Sequence, residues 1–194
     1  MDFLDMLKMR RSVYALDKNL PISKDELLKV IQDTVRYVPD AFDMKSQRVM
    51  VLLGGESEDF WENVNTVFVR DAGVKVSEDK IDSFKAGYGT ILFFYDSGTV
   101  DEYKKRFSLY AENFDNWAMQ SNAMLQFAIW TVFASLSVGA SLQHYNPIID
   151  KMVRAVYDVP ENWVLIAQMP FGGISVKPEP KQSEDVDKRI RIVE

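Results

Sequence analysis

Ala123-Met124-Leu125-Gln126-Phe127-Ala128-Ile129-Trp130-Thr131-Val132-Phe133-Ala134-Ser135-Leu136-Ser137-Val138-Gly139-Ala140 is the stretch whose reading decides the fold. It lies inside a longer run, from Asn116 to Ile149, that contains no Asp, Glu, Lys or Arg. A helix that is apolar nearly all round is either a membrane span or the centre of a compact fold. Gln126, Thr131, Ser135 and Ser137 interrupt this one, and no basic cluster flanks it. Both features favour a helix buried within the protein. The pattern predicts a helix from Phe114 to Val138, with Gly139 as its C-terminal stop.

Strand signals lie on both sides of that helix. Thr90 to Tyr95 is apolar on both faces, as an interior strand requires. Arg48 to Leu53, ended by Gly54-Gly55, and Trp163 to Met169 are further runs. Arg189 to Val193 alternates like a final strand with one face buried. Helices are expected from Phe3 to Arg11, from Glu58 to Arg70, from Ser77 to Lys85 and from Val100 to Phe107. Another follows the capping box Ser23-Lys24-Asp25-Glu26 and buries Leu27, Leu28, Val30, Ile31 and Val35. Asn146-Pro147 reads as cap and first residue of a helix reaching Tyr157. Pro170 to Pro180 reads as a loop. Strands set among helices, with one apolar helix at the centre, give an α+β domain with helices around a sheet. Neither a repeat nor a linker divides residues 1–194. The C-terminal strand, beyond a long loop, pairs either with its own sheet or with a partner's sheet edge.

Composition narrows the function classes. The 194 residues are 47% hydrophobic and 27% charged, with a net charge of −6. That balance suits a globular core and argues against nucleic acid as the main partner, since phosphate backbones want a basic face. The chain has no cysteine, which removes disulfides, thiolate catalysis and zinc–cysteine sites and suits a reducing, cytoplasmic setting. The N-terminal residues carry two acids and no long apolar core, unlike a signal peptide. There is no P-loop and no dinucleotide fingerprint, because Gly87-Tyr88-Gly89 precedes a strand instead of following one. A single histidine, His144, rules out a multi-histidine metal site, and no GxSxG elbow accompanies it.

Three spots remain. Arg10-Arg11-Ser12 sets two guanidinium forks beside a hydroxyl, a match for phosphate oxygens; equally, basic residues at a helix end complement its dipole. Pro39 to Arg48 is a polar loop feeding a strand, either a ligand contact or a plain connector. Leu142-Gln143-His144-Tyr145-Asn146-Pro147 offers an imidazole, an aromatic face and amides near a helix start, or is a capped turn with a packed tyrosine.

These spots occur in an order that resembles the nitroreductase family, in the small branch that contains the copper-induced nitroreductase and the fungal fatty-acid-repression proteins. The resemblance is carried by Arg10-Arg11-Ser12, the Pro39 to Arg48 loop, Ala86 to Thr90, Tyr110 to Phe114, Leu125 to Ala128, Leu142 to Pro147 and Gln168-Met169-Pro170-Phe171-Gly172. It covers essentially the whole chain. It implies a nitroreductase-like fold with a central, mostly antiparallel sheet, in an intertwined homodimer that exchanges its C-terminal strand.

The resemblance also implies two FMN sites, each built from both subunits. By position, Arg10, Arg11 and Ser12 resemble the anchor of the FMN phosphate and ribityl chain. Lys181 stands where another basic phosphate contact is common, with Lys177 as a rival. Gln143, His144 and Tyr145 resemble the segment along one side of the isoalloxazine. Phe42, Asp43 and Lys45 resemble the segment that reaches the flavin from the other subunit. The usual form of that loop is close to PSAFNSQ; here Asp40 replaces Ser, Asp43 replaces Asn and Lys45 replaces Gln. A carboxylate accepts hydrogen bonds but does not donate them, so Asp43 suits the flavin N3–H and not a flavin oxygen; its negative charge also disfavours an anionic reduced flavin unless Lys45 offsets it. The implied activity is an FMN-dependent, NAD(P)H-consuming, ping-pong two-electron reduction of nitroaromatics or quinones. The cofactor carries the chemistry and no side chain need act as acid or base. Tyr110, Phe114 and Trp117 are either an aromatic lid or core packing at helical spacing. The alternative to the enzyme is a flavin-binding regulatory or stress-response protein with little turnover.

Overall fold

The structure, a computed structural model, describes residues 2–73, 77–180, 182 and 185–194. Five strands form one antiparallel sheet: β1 (Leu16–Asp17), β2 (Gln47–Leu53), β3 (Gly89–Asp96), β4 (Gly139–Ala140) and β5 (Trp163–Ile174). Their order is β1-β5-β3-β2, with β4 also pairing β5. β2 meets β3 along its length, from Gln47 opposite Tyr95 to Leu53 opposite Gly89. β3 meets β5 from Gly89 opposite Phe171 to Asp96 opposite Trp163, with a register shift between Phe93 and Phe94.

Seven α-helices stand among the described residues: α1 (Phe3–Met9), α2 (Lys24–Tyr37), α3 (Gly55–Val67), α4 (Glu78–Lys85), α5 (Ser97–Arg106), α6 (Phe114–Ser135) and α7 (Asp150–Tyr157). They cover both faces of the sheet, which is why Ile91 to Phe94 of β3 is apolar on both faces. Successive strand residues point to opposite faces. Ile91 and Phe93 enter a core with Leu27 and Ile31 of α2 and with Leu125, Ile129 and Phe133 of α6. Leu92 and Phe94 enter a second core with Phe60, Trp61 and Val64 of α3 and with Val153 of α7. One polar knot lies in the interior, where Trp61 Nε1 donates to Thr90 Oγ1 at 2.8 Å and Ser57 Oγ lies 2.7 Å from the same oxygen.

The structure revises several element boundaries. α6 ends at Ser135, not Val138. Ser137 takes the left-handed position (φ 59°), and the amides of Ser137 and Val138 donate to the carbonyls of Ala134 and Phe133. That paired closure is the usual helix stop, and it frees Gly139 to enter β4. β5 runs through the expected loop as far as Ile174, because Gly172 and Gly173 admit β1: a Cβ on Gly172 would stand 2.3 Å from the Asp17 carbonyl oxygen. α7 begins at Asp150 with Ile149 as its cap residue, and Asn146-Pro147 lies in the preceding turn. In the single chain Ile190 to Glu194 forms no strand, and Ile192 is 78% exposed. Asp187–Arg189 is a short 3-10 turn. The Ser23 cap is present, accepting from the Glu26 amide at 3.2 Å.

No helix among the described residues is long and apolar enough to cross a membrane. α6 buries one face, through Ala118, Asn122, Leu125, Ile129 and Phe133, and leaves Met119, Met124 and Phe127 exposed on the other. α1, which packs beside α6, buries none of its residues completely, and its Phe3 and Leu4 are more than 60% exposed.

Candidate functional site

The first cluster forms where α1 ends. Arg10 is its C-cap residue, and its guanidinium lies 4.2 Å from the ring centroid of Trp130 on α6. Arg11 Nη1 donates to the Glu179 carbonyl oxygen. Neither arginine meets a carboxylate among the described residues. Burial, and then the charge of Arg11, pushes Arg10 below its ordinary guanidinium value. Such a side chain remains a cation at neutral pH, so two adjacent positive charges stand with no carboxylate partner among the described residues. Beside Arg11 opens a cleft of about 670 Å³ lined by Lys8, Arg11, Trp130, Ser137 and Lys177 among others; Arg10 meets it only through Trp130. That size lies within the range of small-molecule sites, roughly 300–1,000 Å³. Ser12 is half-buried next to Arg11. Lys181 lies outside the described residues, while its rival Lys177 lines the cleft.

The second segment is carried on the same strip of backbone. Val13 donates its amide to the Ala140 carbonyl at 2.9 Å, which lays the chain after Ser12 against β4. Three residues beyond Ala140, Gln143 exchanges both backbone hydrogen bonds with Gln168 of β5, at 2.7 and 2.9 Å. The Gln168 side chain is fully buried, and its Oε1 accepts from the Tyr145 amide at 2.8 Å. Gln143 Nε2 donates to Ser141 Oγ at 3.1 Å. His144 is exposed. The Tyr145 ring turns inward, edge-on to Trp61 and Phe68. Its hydroxyl is buried without a partner, and burial pushes the phenol up to about 12. Tyr145 therefore contributes its ring to the core, and Gln143 and His144 are the members of the trio beside the strip.

The third segment lies elsewhere. Phe42 packs against Phe107, Phe114 and Trp117, with centroids 4.7, 5.3 and 5.6 Å away, and against Tyr110 at 6.0 Å. Phe114 is fully buried, whereas Phe42 and Tyr110 keep an exposed face. Thus Phe114 packs as core, and Phe42 and Tyr110 form the accessible side of the aromatic cluster. Lys45 Nζ lies 3.4 Å from Asp43 Oδ2, and both side chains are well exposed. Asp43 and Lys45 therefore form the offsetting pair that their charges suggested.

The two ends do not meet within one chain. Phe42 rests on Trp117 and Arg10 on Trp130, thirteen residues further along the same helix, or about 20 Å at the α-helical rise of 1.5 Å per residue. Trp130 escaped sequence reasoning because it looks like any residue of an apolar helix, and nothing local ties it to a residue 120 positions earlier.

The fold is thus an antiparallel sheet covered by helices, with an arginine pair and an aromatic loop at separate places along its central helix α6. The chain belongs to the Nitroreductase family, whose sequence profile matches residues 7–173. It is 27% identical over 182 residues to the nitroreductase FRM2 of Saccharomyces cerevisiae, covering 93% of this chain and 92% of that one. The nitroreductase CinD of Lactococcus lactis, solved in complex with nicotinic acid, is 34% identical with a TM-score of 0.93 over 100% of both chains. The same protein in complex with 4-nitrophenol gives 35% and 0.91 over the same coverage. A protein of Exiguobacterium sibiricum solved in complex with FMN shares the fold, with a TM-score of 0.74 at 15% identity over 100% of this chain and 98% of that one.

Proposed function

We propose that this protein is an FMN-dependent NAD(P)H oxidoreductase that reduces nitroaromatics or quinones as a homodimer. The observation that carries the reading is the Arg10–Arg11 pair, two guanidinium groups with no carboxylate partner among the described residues: Arg11 lines a ligand-sized cleft, and Arg10 stacks on Trp130 of its wall. A phosphate group fits that charge and geometry. Arg10, Arg11 and Ser12 would hold the phosphate and sugar-alcohol end of FMN, with Lys177 or Lys181 adding a cation. Gln143 and His144 would flank the ring, and Phe42, Asp43 and Lys45 of the second subunit would close over it. FMN held there would supply the hydride and two-electron chemistry between NAD(P)H and the oxidant, and the protein would supply position, shielding and electrostatics.

Two further features support the dimer. An uncharged helix face carrying Met119, Met124 and Phe127, next to exposed Phe3 and Leu4, needs cover in water. The tail also offers Ile190 and Ile192, exposed at alternate positions. The complexes of CinD with nicotinic acid and 4-nitrophenol, which concern that protein, are in keeping with a small aromatic oxidant here.

The test is an absorbance titration of the protein with FMN, followed by anaerobic NADH and then 4-nitrophenol or a quinone. Flavin bands that bleach with NADH and return with the oxidant support the enzyme. Bands that bleach but return with neither acceptor favour the flavin-binding regulator. A protein that ignores FMN sinks both.

A further inference from the structure

Phe42, Asp43 and Lys45 have φ values of 54°, 53° and 54°. None is glycine, and the left-handed region is unfavourable for each. Strain of this kind persists only where the surroundings over-determine it. Here the determinant is visible. Asp40 Oδ1 accepts from the Ala41 amide at 2.7 Å, while Oδ2 accepts from the Ser46 amide at 2.6 Å and from Ser46 Oγ at 2.8 Å. Ser46 is completely buried, and Met44 is buried in the core beside Phe114 and Ala118. Met44 is right-handed between left-handed Asp43 and Lys45.

We propose that Asp40 is a positioning residue: its carboxylate ties the two ends of the 41–46 loop together, so that Phe42, Asp43 and Lys45 are presented in one arrangement to the flavin ring. The middle is pinned by Met44 and the ends by the carboxylate, which leaves only those three side chains outside. A serine at this position carries one oxygen on a shorter arm and does not bridge Ala41 to Ser46. The bridge is thus a property of this chain's departure from the usual loop. The presentation to flavin rests on the function proposed above; the clamp itself does not.

The experiment compares wild type with Asp40→Asn and Ser46→Ala, each with FMN loaded and with FMN removed. Amide hydrogen exchange over residues 40–48 reads the clamp, and FMN titration with visible circular dichroism of the bound flavin reads its consequence. Asp40→Asn is expected to speed exchange over 41–46 by about tenfold or more, the loss of one charge-assisted hydrogen bond, and to leave β3 and β5 unchanged. It should weaken FMN by a similar factor, alter the flavin dichroism, and raise KM for the oxidant more than it lowers kcat. Ser46→Ala should move each quantity the same way by less. Unchanged exchange in both variants overturns the clamp. Faster exchange with wild-type FMN affinity and dichroism overturns the positioning role. If wild type takes up no FMN, the functional reading fails, and with it the positioning role, while exchange alone still decides whether Asp40 holds the loop.

Discussion

Replacing Arg10 by alanine should weaken FMN specifically through the phosphate. The Arg10 guanidinium sits 4.2 Å from the Trp130 ring centroid, beside Arg11 and with no carboxylate partner among the described residues, and burial and Arg11 together already push its pKa down. The fold therefore holds this charge at a cost that a bound anion relieves. Losing a hydrogen bond between charged groups costs ~1.5–3 kcal/mol, which corresponds to roughly 10- to 160-fold in Kd. The same substitution removes the stacking on Trp130, worth about 0.5–1 kcal/mol, but that loss falls on the protein and is common to every ligand. Riboflavin separates the two contributions because it lacks the phosphate. Quenching of flavin fluorescence would be titrated for wild type and Arg10→Ala with both ligands. FMN affinity should fall by the stated factor, and riboflavin affinity should stay within about twofold, the tolerance for uncoupled groups. Equal losses for both ligands, or none for FMN, would refute the phosphate assignment.

Thr90→Val removes the hydroxyl that accepts from Trp61 Nε1 and pairs with Ser57 Oγ in the buried core; unfolding in urea should show a loss of about 1–3 kcal/mol. Tyr145→Phe should act in the opposite sense at high pH. The Tyr145 phenol is raised from 10 to about 12 by burial, so its contribution is complete below pH 10. It is lost as the unfolded chain ionises first between pH 10 and 12, amounting to at most about 2.7 kcal/mol at 1.36 kcal/mol per unit. Melting curves across that window should fall less steeply for Tyr145→Phe, and parallel slopes would show that the phenol is wet. Removing Arg189 to Glu194 should weaken dimerisation; a truncated protein that sediments as a dimer at nanomolar concentration would remove the tail from the interface.

Much of this architecture was written in local patterns. Thr90 to Tyr95 announced an interior strand because residues facing both ways were apolar, and the cores on its two faces bear this out. The Ser23 box announced α2 because a cap needs only neighbours within one turn. The boundaries that moved were those set by distant chain. β5 continues through Pro170 to Ile174 because β1 and β4 come to lie against its glycines, and α6 stops early because Ser137 closes it before Gly139 is claimed by the sheet. In the candidate site, residue types were legible: two arginines beside a serine, an imidazole after an apolar helix, an altered loop. Their grouping was not. Only the tertiary structure set Arg10 on Trp130, turned the Tyr145 ring into the core and buried Met44 against Phe114 and Ala118, leaving Phe42, Asp43 and Lys45 outside. The reason is physical. Propensity, capping and periodicity act over a few residues and are readable from the chain itself. Burial, charge isolation and backbone strain are determined by whichever distant segments fold against a residue, and these are settled only when the chain closes on itself.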